Sequence, residues 1–176
     1  MTKQLDLVQD SLIGAIKRLL HKKDFNEISI SELTRVAGIS RPTFYRHYHN
    51  IVDILNIETK NLLTEFLSQV KYQDKDNYQY ILNTISFFEE HESTINIILD
   101  TKHQELLQQN IALVLGQLST GKIQNAYFSA IENRYYVMYH TAGLMAVIFD
   151  WIQNNKPISA QQLAKFLDKN STNTAN

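Results

Sequence analysis

Apolar residues recur every third or fourth position along almost the whole 176-residue chain, and only five glycines and two prolines interrupt them. That spacing gathers the apolar side chains on one face of successive α-helices, whereas a half-buried strand needs alternation at every second position. The fold class that follows is all-α. Apolar residues make up 44% of the chain, enough for a core, and the length fits one domain or a compact body with a small module attached. The lack of cysteine excludes a disulfide framework, a thiol nucleophile and a cysteine-ligated metal. None of the histidines at 21, 47, 49, 91, 103 and 140 forms the i, i+4 pair beside an acid that a helix-borne zinc site needs, so no metal and no cofactor is expected.

The first helix is expected over about 3–22, with Leu5, Val8, Leu12, Ile16 and Leu19 on one stripe. Lys17, Arg18 and Lys22 stand near its C-terminal end, where cations suit the helix dipole. Ser29-Ile30-Ser31-Glu32 has the spacing of a capping box: Ser29 accepts from the Glu32 backbone and the Glu32 carboxylate reaches back. It opens a helix over about 30–37 that buries Ile30, Leu33 and Val36 or Ala37. Gly38 supplies a left-handed turn, Ser40 caps the next helix, and Pro42 sits in its first turn. That helix ends near Tyr48, and Asn50 caps a long helix over about 51–71. After a polar loop, further helices are expected at about 77–91, 94–101, 103–120, 124–154 and 160–169. Ser93 and Ser159 are their expected caps, Gly121 and Pro157 their breaks, and the polar tail 171–176 frays.

Two short helices joined by a glycine turn make a helix-turn-helix, whose second helix enters the major groove with its N-terminal residues against base edges. Arg41 and Thr43 would then face bases, while Tyr45, His47 and Tyr48 would hold phosphates and fix register. Phe44, on the opposite side from Tyr45, belongs in the core. Charge agrees with this division: residues 1–50 carry eight Lys and Arg against five Asp and Glu, a net of +3, and the remainder nine against thirteen, a net of −4.

The segment ISISELTRVAGISRPTFYRHYHNIVDIL closely resembles the DNA-binding signature of the TetR family of bacterial transcriptional regulators, in which a glycine turn leads to a Ser-Arg-x-Thr-Phe-Tyr-x-x-Phe helix. The likeness covers roughly residues 5–65. It implies about nine helices: a three-helix N-terminal domain that binds operator DNA, a larger helical domain that holds an inducer, and two final helices that pair into a dimeric four-helix bundle. By position, Ser31, Arg41, Pro42 and Thr43 fall on sites that meet bases. Ser29, Thr43, Tyr45, His47 and Tyr48 fall near phosphates, and Ser40, Arg46 and His49 complete the expected surface. Where the family often has a lysine that pairs with a phosphate, this chain has Ile51, for which His49 substitutes only in part. The implied division is a helix-turn-helix domain over 1–50, with its motif at 29–48 and a linking helix at 51–71, and a regulatory domain over 51–170.

In that larger body, Glu89, Glu90 and Glu92 beside His91 read as a solvated helix end, and no catalytic constellation is present, so no enzymatic activity is expected. His91, Tyr135, Tyr139 and His140 are the expected lining of an effector pocket. Met138, Ala142, Met145 and Phe149, with Leu163, Phe166 and Leu167 of the last helix, are the expected isologous interface. The run YYVMYHTAGLMAVIFDWIQNN is also similar to the C-terminal domain of the subgroup that includes regulators of dihydroxyacetone kinase genes, some of which activate. The N-terminus does not read as a signal peptide, and no run approaches the roughly 18 apolar residues of a membrane span. The expectation is therefore a cytoplasmic homodimer on double-stranded operator DNA, released by a small-molecule effector. The alternative is a coactivator working through a partner subunit.

Overall fold

In the computed structural model, residues 3–70, 77–103, 105–107, 110 and 129–172 are described. Among them the regular structure is helical and no strand occurs. Among the described residues the α-helices are α1 (Lys3–Leu20), α2 (Ile30–Ala37), α3 (Arg41–His47), α4 (Ile51–Gln69), α5 (Asn77–Glu90), α6 (Glu92–Asp100), α7 (Ala130–Gln153) and α8 (Ala160–Thr172), with a 3₁₀ turn at Phe25–Glu27. Most of the helix expected over 103–120, and Gly121, lie outside the described residues.

The chain forms two compact units. The first comprises residues through Leu62 together with Asn96–Leu107. Its core is built from Leu12, Ile16 and Leu19 of α1, Leu33 of α2, Phe44 and Tyr48 around α3, Ile54 and Leu55 of α4, and Ile97 of α6. Because Ile54, Leu55 and Ile97 bury their side chains there, this unit takes in part of α4 and a segment of α6 rather than ending at residue 50.

Local chemistry sets the helix ends. The Ser29 hydroxyl accepts from the Glu32 amide at 3.2 Å. The Glu32 carboxylate does not reach back as the capping-box spacing suggests; it pairs with the Lys23 ammonium at 2.9 Å, a charged donor that outcompetes a neutral amide. Gly38 ends α2 in the left-handed region at φ 71°, and Ile39 N–H returns to Thr34 O at 3.0 Å. Nothing lies within 4 Å of a β-carbon built on Gly38, so the barrier to substitution is conformational. Gly38→Ala is expected to lower the stability of this unit by about 1–2 kcal/mol without altering its core, read as a shift in the urea midpoint at constant m-value.

The Ser40 hydroxyl accepts from the Thr43 amide at 3.1 Å, and the Asn50 side chain from the Asp53 amide at 3.0 Å. Asp53 reciprocates, its carboxylate accepting from the His49 and Asn50 amides at 2.8 and 3.2 Å.

The second unit comprises Leu63–Ile95 and the described residues beyond 107. Phe66, Phe87 and Phe88 pack with ring centroids 5.3 to 5.4 Å apart, and Phe149 meets Phe88 edge-on at 5.8 Å. Asn77 donates to Asp168 at 2.7 Å, tying α5 to α8. α6 starts at Glu92, so Ser93 lies inside it and is not its cap. α7 starts at Ala130 and not near 124: Ser129 accepts from the Glu132 amide, and the Glu132 carboxylate accepts from the Ser129 amide at 2.8 Å and hydroxyl at 2.6 Å. These bonds to the ionised form hold the Glu132 carboxyl below its usual range.

Between α7 and α8, Asn155 and Lys156 both adopt positive φ, 57° and 54°. The Trp151 indole donates to Ile158 O at 2.8 Å, and the Lys156 ammonium bonds Glu92 at 2.6 Å and lies 3.7 Å from Glu89. Ser159 and Gln162 form the expected reciprocal cap of α8.

Candidate nucleic-acid interface

α3 is held from below by Phe44, which is fully buried and meets Tyr45 and Tyr48 at centroid distances of 5.3 and 5.5 Å. With that side anchored, Arg41, Pro42, Tyr45, Arg46 and His47 are left exposed, Tyr45 to 50%. Ser29, Ser31, Ser40 and His49 are exposed as well. Thr43 is half-buried, its hydroxyl 2.7 Å from that of Ser40. Among the described residues neither Arg41 nor Arg46 has an ion-pair partner, so both guanidinium forks are available to an external anion.

Tyr48 corrects the expectation. It is 1% exposed, and its hydroxyl donates to Gln9 Oε1 at 2.7 Å, so it holds α3 from inside and does not face a phosphate. Burial, and secondarily the Glu58 carboxylate, push its pKa up. Ile51 is half-buried against the core, and the only charged group at the start of α4 is the Asp53 carboxylate. Gln9 and Glu58 were not anticipated. The signal was present: Gln9 lies four residues after Leu5 and three before Leu12, a polar residue set into the apolar stripe of α1.

The candidate effector residues are not all brought together: Tyr139 and His140 meet, and His91 joins neither. His91 stacks on Phe87 at 4.3 Å, its Nδ1 lies 2.8 Å from Phe87 O, and its Nε2 lies 3.5 Å from Glu65. No ring contact or hydrogen bond joins it to Tyr135, Tyr139 or His140 among the described residues. Tyr135 and Tyr139 are exposed, the latter to 74%, so they do not wall a cavity among the described residues. His140 is half-buried against Tyr136 and Tyr139, at 4.2 and 5.2 Å, and burial lowers its pKa. The folded chain therefore binds fewer protons here than the unfolded chain as pH falls through about 6.5, the ordinary imidazole value, and stability is lost in that direction. The thermal midpoint is expected to fall between pH 7.5 and 5.5, with a smaller fall in His140→Gln.

Two of the candidate interface residues are corrected too. Met145 and Leu163 are buried within their own unit, on the side of their helices that forms the core, and are not available to a second copy. Phe149 and Leu167 are half-buried. Met138, Ala142 and Phe166 are exposed, Phe166 to 60%, and Ile131, Tyr135, Met138, Ala142 and Ala146 follow i, i+4, i+7 spacing down one face of α7. Among the described residues there is no group of His, Asp and Glu able to hold a metal, and no helix long and apolar enough to cross a membrane.

Comparison with known proteins bears on this geometry directly. Residues 12–56 match the family described as bacterial regulatory proteins, tetR family, and residues 75–173 match a family of transcriptional regulator C-terminal regions. The HTH-type transcriptional regulator EthR of Mycolicibacterium smegmatis is 47% identical over 38 residues, a match that spans 22% of this chain and only 18% of EthR. Among solved structures, Lin0861 from Listeria innocua aligns with a TM-score of 0.76 at 18% identity, covering 98% of this chain and 93% of that one. The dihydroxyacetone kinase operon activator DhaS aligns at 0.57 and 19% identity, covering 92% of each chain. The TetR family repressor AlkX from Dietzia sp. strain DQ12-45-1b, implicated in biodegradation of n-alkanes, aligns at 0.52 and 16% identity, covering 92% of this chain and 95% of that one. At these identities the structural likeness carries the fold alone.

Proposed function

We propose, from the premise that this chain belongs to the TetR family of bacterial transcriptional regulators, that it is a homodimeric repressor which binds a palindromic operator and is released by a small-molecule effector. One observation carries the DNA-reading part: α3 is anchored by buried Phe44 while Arg41, Tyr45, Arg46 and His47 stand exposed on it. Arginine presents a planar fork of donors suited to guanine O6 and N7 or to phosphate, and the aromatic and imidazole groups add neutral donors for the backbone.

The dimer is supported by the exposed face of α7, whose Ala142 and Ala146 permit close approach between copies and whose Ile131, Tyr135 and Met138 supply apolar area, with Phe166 exposed on α8. In a dimer, half-sites lie about 34 Å apart or a multiple of it, so a small change in the spacing of two reading heads breaks simultaneous engagement. An effector that binds the two spacings unequally shifts DNA affinity by that difference.

A coactivator reading is favoured by one specific feature. The start of α4 carries Ile51 in place of a cation, and the His49 and Asn50 amides are occupied by the chain's own Asp53 carboxylate, which weakens any phosphate site there. Retardation of fragments from around its own gene separates the two. The repressor reading expects a shifted band from a fragment containing an inverted repeat at nanomolar protein, lost when one half-site is scrambled; no shift at low salt without a second protein would support the coactivator.

A further inference from the structure

Gln9 is 2% exposed on the core side of α1, a position where an amide must find partners or destabilise the fold. It finds three. Its Nε2 donates to Ile54 O at 3.1 Å and to Glu58 Oε2 at 3.0 Å, both on α4, and its Oε1 accepts from the Tyr48 hydroxyl at 2.7 Å. Tyr48 is the residue that ends α3, where its own N–H closes the last turn onto Phe44 O at 3.0 Å. One side chain of α1 therefore binds the end of α3 and the second turn of α4 together. The bonds run in one direction, hydroxyl to amide oxygen and amide nitrogen to carboxylate, an order in which each polarises the next.

Apolar packing around Phe44 fixes how deep α3 sits but is non-directional, so it leaves rotation about that anchor weakly specified. Hydrogen bonds fall off steeply with distance and angle, and the Tyr48–Gln9–Glu58 chain supplies the missing constraint. We propose that Gln9 is a positioning residue for DNA reading: through Tyr48 and Glu58 it fixes the angle of α3 against α4, and so the discrimination between operator and other sequences, without itself touching nucleic acid. The proposal rests on the DNA-reading assignment above.

The test compares the full-length protein with Tyr48→Phe, Gln9→Leu, the double variant and Glu58→Gln. The quantity read is the ratio of affinities for an operator fragment selected by the wild-type protein and for a scrambled fragment of equal length, measured where circular dichroism shows each variant fully folded. Tyr48→Phe and Gln9→Leu are each expected to lower that ratio roughly tenfold by weakening operator binding alone. The double variant should be no worse than the more severe single, since both remove the same bond. Glu58→Gln keeps an acceptor and should keep the ratio. Tyr48→Phe retains the buried ring and carries the test if Gln9→Leu does not fold. An unchanged ratio in folded Tyr48→Phe overturns the proposal and leaves DNA reading standing, whereas a wild-type protein that selects no fragment overturns DNA reading itself.

Discussion

Arg41→Ala is expected to abolish retardation of the operator while leaving the unfolding transition where it is. Arg41 is exposed at the first position of α3, has no ion-pair partner among the described residues, and contributes nothing to the core beneath it. Its removal therefore acts on binding alone. A bidentate arginine–guanine contact is worth about 1–3 kcal/mol, and the proposed dimer would lose it at both half-sites, so about 2–6 kcal/mol disappears, roughly thirtyfold to more than ten-thousandfold in affinity. Arg46→Ala makes the informative comparison: a role against phosphate instead of a base would show as operator and scrambled DNA weakened alike, with a flattened salt dependence. Titration by fluorescence anisotropy at fixed salt measures both, and an Arg41→Ala protein with wild-type operator affinity removes α3 as the reading helix.

Phe44→Ala is expected to have the opposite signature, a collapse of stability. Phe44 is completely buried, in the same core as Tyr48, Leu12, Leu33 and Ile54. Truncating a buried phenylalanine costs about 3–5 kcal/mol, a large share of the roughly 5–15 kcal/mol that holds a whole domain folded. Urea unfolding followed by circular dichroism should show an early transition for the first unit, ahead of that of the second. Tyr45→Ala, one residue on and half-exposed, should leave that transition nearly in place. If both substitutions destabilise equally, the division of α3 into an anchored side and a free side is wrong.

These two residues also show how far sequence reasoning reaches. Phe44 and Tyr48 are four apart, which on a helix means the same face, so spacing alone puts Tyr48 in the core with Phe44. The docking geometry of a helix-turn-helix and position in the family signature both suggest a phosphate contact instead, and the helical spacing is the better guide. Caps were legible because they are short-range chemistry: Ser29, Ser40, Asn50 and Ser159 each accept from the amide three residues on. Ser129 and Glu132 carry the same pattern, a local signal that sets the start of α7 at Ala130. What sequence could not reveal is which distant group competes for a side chain. The capture of Glu32 by Lys23, and the Gln9 bonds to residues 45 and 49 positions away, depend on tertiary placement. The same holds for α7: the tyrosines at 135 and 139 have apolar bodies and polar tips that suit a cavity wall or an exposed face equally, and only the packing of the rest of the unit decides.

The connector after α7 has a consequence for dissection of the molecule. Two adjacent residues with β-carbons, Asn155 and Lys156, occupy the left-handed region, which costs a lysine about 1–2 kcal/mol and an asparagine less, so this bend does not hold itself. Part of its restraint, Glu89 and Glu92, comes from sequence more than sixty residues upstream. A synthetic peptide reproducing only the final pair of helices would leave those carboxylates behind, and the elbow would be the first piece to lose its shape.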